Sequence, residues 1–80
     1  MLYMEKTILN GKTREEWKNL IFEHIHNERD RWLLERRLLD GVYLDELTLE
    51  YQRRYPDRSL EYDQIRRRVK SAEKQLINSL

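Results

Sequence analysis

The stretch Ser59–Leu80, SLEYDQIRRRVKSAEKQLINSL, decides how the chain is read. At a helical step of about 100° per residue, Ile65, Val69, Ala72 and Leu76 fall at i, i+4, i+7 and i+11 and form one apolar stripe. Asp63, Gln64, Arg67, Lys70, Ser71 and Lys74 lie opposite, with Arg66 and Arg68 on the flanks. One side belongs in a core. The other offers cations and amides to a partner with a negative backbone.

Working outward, the turn before this helix is Tyr55-Pro56-Asp57-Arg58-Ser59, and Asp57 or Ser59 is the expected cap. Pro56 ends the preceding helix, because the residue before proline disfavours helical angles. That helix is expected from about Leu44 to Arg54, with Leu44, Leu47 and Tyr51 inward. Before it, Asp40-Gly41 closes a helix whose buried side is Trp32, Leu34, Leu38 and Leu39, glycine being favoured just past a helix end. Asn27 suits the start of that helix, with Glu28 and Asp30 at its positive end. A single bent helix from Arg14 to Asp40 is the alternative. Thr13 and Glu16 form a capping box for the first helix, whose apolar face is Trp17, Leu20, Ile21, His24 and Ile25. Residues 1–12 follow neither period and read as an N-terminal arm, frayed or packed on the domain or on a second copy.

The expected fold is therefore all-α, a small bundle of about four helices over residues 13–80, with a helix-turn-helix over about 43–78 near the C-terminus. Two glycines and few β-branched residues argue against a sheet. The 80 residues bound one small domain with a modest core. There is no cysteine, which suits a reducing cytosol. No apolar run is long enough to span a bilayer, and MLYMEKTIL is too short and mixed for a signal peptide.

Charged residues make up 39% of the chain and nearly balance at +1. The balance hides a gradient. Arg66–Leu80 carries Arg66, Arg67, Arg68, Lys70 and Lys74 against Glu73, a net of +4. Gly41–Ile65 carries Arg53, Arg54 and Arg58 against six carboxylates, a net of −3. A local basic stripe matters more to a nucleic-acid partner than the total charge.

Catalytic and metal chemistry find little footing. His24 and His26 are two apart, so a helix does not face them together, and no third ligand has suitable spacing. Glu15-Glu16 and Asp45-Glu46 sit in first turns of helices, where negative charge is favourable without any catalytic role. There is no glycine-rich phosphate loop and no nucleophile with a base. Trp17 and Trp32 lie on apolar stripes and read as core. Tyr43, Tyr51, Tyr55 and Tyr62 among arginines suggest base stacking, as in single-strand binders, but Tyr51 falls on a buried face. No enzyme activity, cofactor or small-molecule substrate is expected.

Two consecutive helices, the second basic, suggest helix-turn-helix DNA binding. Arg36-Arg37-Leu38-Leu39-Asp40-Gly41, then Leu44-Asp45-Glu46-Leu47-Thr48, then Ile65, Val69, Ala72 and Leu76 carry the likeness further. In that order and spacing the chain from about Glu28 onward resembles the fourth region of bacterial sigma factors and the small regulators of phages and mobile elements that share it. The resemblance implies sequence-specific double-stranded DNA binding and transcriptional regulation in the cytoplasm of a bacterial cell or phage host. It implies base contacts from Tyr62, Asp63, Arg66 and Arg67. Arg53, Arg54, Arg58, Lys70 and Lys74 would contact phosphates and set register. So small a module binds weakly, so a homodimer or attachment to RNA polymerase is expected.

Three departures stand out. Thr48 replaces the usual alanine, and Tyr43 replaces a threonine or serine cap. Gln52–Ser59 puts eight residues between Tyr51 and Leu60, where the family has about one turn residue. A longer third helix followed by a true loop would accommodate them. The competing reading is a protein-binding adaptor that keeps the fold, docks on RNA polymerase or another host protein, and does not read DNA.

Overall fold

The computed structural model describes residues 12–80; apart from Lys12, the N-terminal arm lies outside them. The described residues form four helices in an all-α bundle and no strand: α1 (Arg14–His24), α2 (Glu28–Leu34), α3 (Leu44–Arg54) and α4 (Tyr62–Ser79). α2 runs on as one wide π turn, Glu35–Leu39, and a 3-10 turn, Pro56–Arg58, sits between α3 and α4.

The capping box at α1 forms as its sequence dictates. The Glu16 amide donates to the Thr13 hydroxyl at 3.1 Å, and the Thr13 amide donates to the Glu16 carboxylate at 2.9 Å. Asn27 opens α2 by accepting from the Arg29 and Asp30 amides at 2.9 and 3.2 Å. The chain therefore breaks into two helices and is not one bent rod. At the break, Ile25 turns extended yet keeps its side chain buried.

The π turn lets the Asp40 amide reach back five residues to the Glu35 carbonyl at 3.2 Å. Gly41 then takes φ +69°, the left-handed geometry that glycine adopts without a Cβ penalty. α3 has no side-chain cap at Tyr43. Its Thr48 is buried and donates to the Leu44 carbonyl one turn back at 2.7 Å, which satisfies the hydroxyl inside the bundle.

α3 spans the expected Leu44–Arg54 and is not lengthened; the extra residues form the 3-10 turn, held by the Gln52 side-chain amide donating to the Leu60 carbonyl at 2.9 Å. The expected cap of α4 is corrected. The cap of α4 is Glu61 and neither Asp57 nor Ser59; the Gln64 side chain accepts from the Glu61 amide at 2.9 Å. The added turn carries the chain past both expected caps before it becomes helical again.

The core has two lobes, and α4 walls both. Trp17, Ile21 and Ile25 of α1 and the segment after it pack with Leu34, Leu38, Ala72 and Leu76. Leu33, Leu47 and Tyr51 pack with Ile65 and Val69. The C-terminal half of α4 thus leans on α1 and its N-terminal half on α3, with α2 filling both gaps. Two expected core positions shift. Leu33 is fully buried, whereas Trp32 and Leu39 are half-buried. Trp32 instead joins Tyr51 and Tyr55 in an aromatic cluster at the lobe's edge, with ring centroids 4.9 to 6.3 Å apart. No helix among the described residues is long and apolar enough to cross a membrane.

Candidate nucleic-acid interface

The structure divides the basic side chains into two populations. The first holds the fold together. Arg14 pairs with Asp40 and also donates to the Leu39 carbonyl at 3.1 Å. Arg36 grips both oxygens of Glu50 at 3.0 and 2.9 Å and reaches Asp40 at 3.0 Å. The network runs from α1 through the π turn to α3. Burial pushes the Asp40 carboxyl up, but hydrogen bonds from Arg14 and Arg36 outweigh it and hold the group below its ordinary value. Arg37 donates to the Val42 carbonyl at 3.0 Å. Arg68 ties α4 to α2 through Asp30 at 2.9 Å. Arg31 lies over the Phe22 ring, 4.5 Å from its centroid, and donates to the His26 carbonyl.

The second population faces outward. Arg66, Arg67, Lys70 and Lys74 are exposed on α4. The buried stripe Ile65, Val69, Ala72 and Leu76 forces this arrangement: with that face turned inward, Asp63, Arg67, Lys70 and Lys74 occupy about 60° of arc on the far side. Arg67, Lys70 and Lys74 have no ion-pair partner among the described residues. Tyr62 and Asp63 stand at the first turn of α4; Tyr62 is 44% exposed and the Asp63 side chain 73%. All four expected base readers, Tyr62, Asp63, Arg66 and Arg67, thus lie on one solvent-facing end of α4.

The remaining expected phosphate contacts divide. Arg53 and Arg58 are exposed, at the end of α3 and in the 3-10 turn. Arg54 is exposed too, but its guanidinium lies over the rings of Trp32 and Tyr55, 5.3 and 5.6 Å from their centroids. It is stacked in place as well as charged. On the outward side of α4, Gln64 is committed to the Glu61 amide at the helix start.

One residue outside the expected set joins this end of the molecule. Tyr43 is 65% exposed and lines a shallow cleft with Arg37, Leu44, Asp45 and Tyr62. Its sequence signal is the same departure noted above: a tyrosine where a cap is usual, and it makes no cap here.

The other end of α4 has a different character. Glu73 is half-buried among Lys70, Ser71, Lys74 and Ile77, and that burial raises its carboxyl above the ordinary value despite Arg37 and Lys70 nearby. His24 is half-buried, and its carbonyl accepts from the Gln75 side chain at 2.9 Å. Among the described residues no three His, Cys, Asp or Glu side chains gather closely enough to hold a metal ion.

No protein-family model, curated protein or solved structure matches this chain.

Proposed function

We propose that this protein binds double-stranded DNA in a sequence-specific manner and regulates transcription. α3 and α4 act as a sigma-region-4-like helix-turn-helix of the kind carried by small phage or mobile-element regulators. The observation that carries the reading is the division of the cations. The fold uses Arg14, Arg36, Arg37 and Arg68 for its own ion pairs and hydrogen bonds and leaves Arg67, Lys70 and Lys74 with no ion-pair partner among the described residues, on one outward stripe.

In this reading the start of α4 enters the major groove. Arg66 and Arg67 donate to guanine edges, supported by Tyr62 and Asp63. Lys70, Lys74, Arg53 and Arg58 contact phosphates, with Arg54 in a stacked supporting position. α3 braces the inserted end through Leu47, Tyr51 and Ile65. Binding by one module is weak, so the working form is a homodimer or a complex with RNA polymerase in a bacterial cytoplasm.

A second reading, the adaptor that meets an acidic protein surface through the same stripe, draws on the 3-10 turn between α3 and α4. That turn lengthens a connection which a tight helix-turn-helix keeps short. A titration against a random duplex pool at two salt concentrations separates the two, with the Arg66→Ala/Arg67→Ala double variant as control. Regulation through DNA requires an enriched motif, lost in the double variant, and affinity that falls steeply with salt. Weak binding without enrichment, unchanged by the substitutions, would refute it. A partner complex that survives nuclease treatment would then favour the adaptor.

A further inference from the structure

Beside its basic stripe, α4 carries a second face that the fold leaves half open. Tyr62 is 44% exposed and Ile77 41%. Between them stand Arg66, whose side chain is 44% exposed, and the half-buried Glu73. At the helical step the four lie within about 60° of arc, between the core stripe and Lys70. Among the described residues Glu73 has no ion-pair partner, and Arg66 has only its loose contact with Asp63 at 3.9 Å. Two large apolar groups thus flank a cation and an anion that the fold leaves without a close partner.

The order of these residues is self-complementary. Tyr62 and Ile77 are centred between Val69 and Lys70, and so are Arg66 and Glu73. A second α4 laid antiparallel about a two-fold axis at that point sets Tyr62 against the partner's Ile77 and Arg66 against the partner's Glu73. The axis repeats both contacts, so one register satisfies all four residues. At a rise of about 1.5 Å per residue, the apolar contacts sit about 11 Å to either side of the axis and the ionic ones about 5 Å. A parallel pair in register would instead oppose like charges. Tyr43, 65% exposed and in the same cleft as Tyr62, lengthens the apolar contact at each end.

We propose that this face is an interaction surface for a second copy of the chain, which pairs α4 with α4 antiparallel through Tyr62, Arg66, Glu73 and Ile77. Lys70, near the axis on the edge of the face, keeps its ammonium in water. The pair covers Arg66, so it is a resting form that excludes a duplex from that end of α4. It stands or falls without the DNA reading.

Sedimentation equilibrium of the full chain over a range of concentrations tests it. The samples are the parent, Arg66→Glu, Glu73→Arg, an equimolar mixture of those two variants, Ile77→Glu and Arg67→Ala. The parent should show a weak monomer–dimer equilibrium, since a single helix pair buries less than a standard interface. Each charge reversal alone opposes like charges twice and should weaken the dimer about tenfold or more. The mixture should recover the parental affinity, because reversed residue then meets reversed residue and native meets native. Ile77→Glu should weaken the dimer, and Arg67→Ala, on the neighbouring stripe, should leave it unchanged. Circular dichroism melts check that each variant is folded. Glu73→Gln replaces Glu73→Arg if that variant melts early, and should weaken the dimer by less. A parent that stays monomeric at every concentration, a dimer indifferent to Arg66→Glu and Ile77→Glu, or a mixture no tighter than either variant alone overturns the proposal.

Discussion

The division of arginines into those that hold the fold and those that face outward makes a sharp claim about Arg36. Arg36→Ala removes three charge-assisted hydrogen bonds: two to Glu50 at 3.0 and 2.9 Å and one to Asp40 at 3.0 Å. A hydrogen bond to a charged group contributes about 1.5–3 kcal/mol when shielded. Here the Arg36 side chain keeps a third of its surface exposed and Glu50 about a quarter, so solvent screens the pair. The loss should come to about 2 kcal/mol in all, since Glu50 is left half-buried and unpaired. For a chain of this size that is a drop in melting temperature of roughly 8–16 °C. Chemical denaturation should show a lower midpoint at unchanged slope. Arg67→Ala, whose guanidinium meets only the Asp63 carbonyl among the described residues, should stay within about 0.5 kcal/mol of the parent. The pH dependence adds a second arm. The folded Asp40 lies below its ordinary value, so its contribution is present above that value and lost as pH falls through the folded one. The parent should therefore lose part of its stability only below about pH 4, and Arg36→Ala, keeping Arg14 alone on Asp40, should lose less there. Equal stability of Arg36→Ala and the parent, or equal destabilisation by Arg36→Ala and Arg67→Ala, would show that the division is wrong.

Other outcomes follow from the same geometry. Lys70→Ala and Lys74→Ala should each lower the salt-dependence slope of duplex binding by about 0.9 without changing base preference; a changed preference would remove them from the phosphate-contact set. Leu38→Ala, at a fully buried position between α1 and α4, should cost about 2–5 kcal/mol by chemical denaturation. Glu73→Gln should stabilise the protein slightly at pH 7, because burial raises the folded carboxyl above its ordinary value and the ionised form is the unfavourable one. That gain should fade in thermal melts as the pH drops into the range where Glu73 protonates.

The local signals of this chain were strong enough to be read without coordinates. Thr13 with Glu16, Asn27, and Asp40-Gly41 each mark a helix end through one short-range hydrogen bond or one special φ, and each does so in the structure. The period of Ile65, Val69, Ala72 and Leu76 already decides which side of α4 is buried, and so which cations face outward. Signals that depend on the surroundings were not legible. Asp57 and Ser59 are as good caps as Glu61 by residue type; the 3-10 turn chosen by Pro56 and held by Gln52 decides between them. Leu33 and Trp32 are neighbours on one helix, and only the position of α3 determines that the leucine is buried and the indole stays at the edge with Tyr51 and Tyr55. The arginines show the limit most clearly. In sequence Arg66, Arg67 and Arg68 are three identical cations, and helical period alone puts Arg68 on a flank like Arg66. Arg68 meets Asp30 across 38 residues of chain, while Arg67 donates to the Asp63 carbonyl of its own helix. Periodicity fixes the direction of a side chain, but its partner is set by packing between distant segments, and tertiary structure alone brings those together.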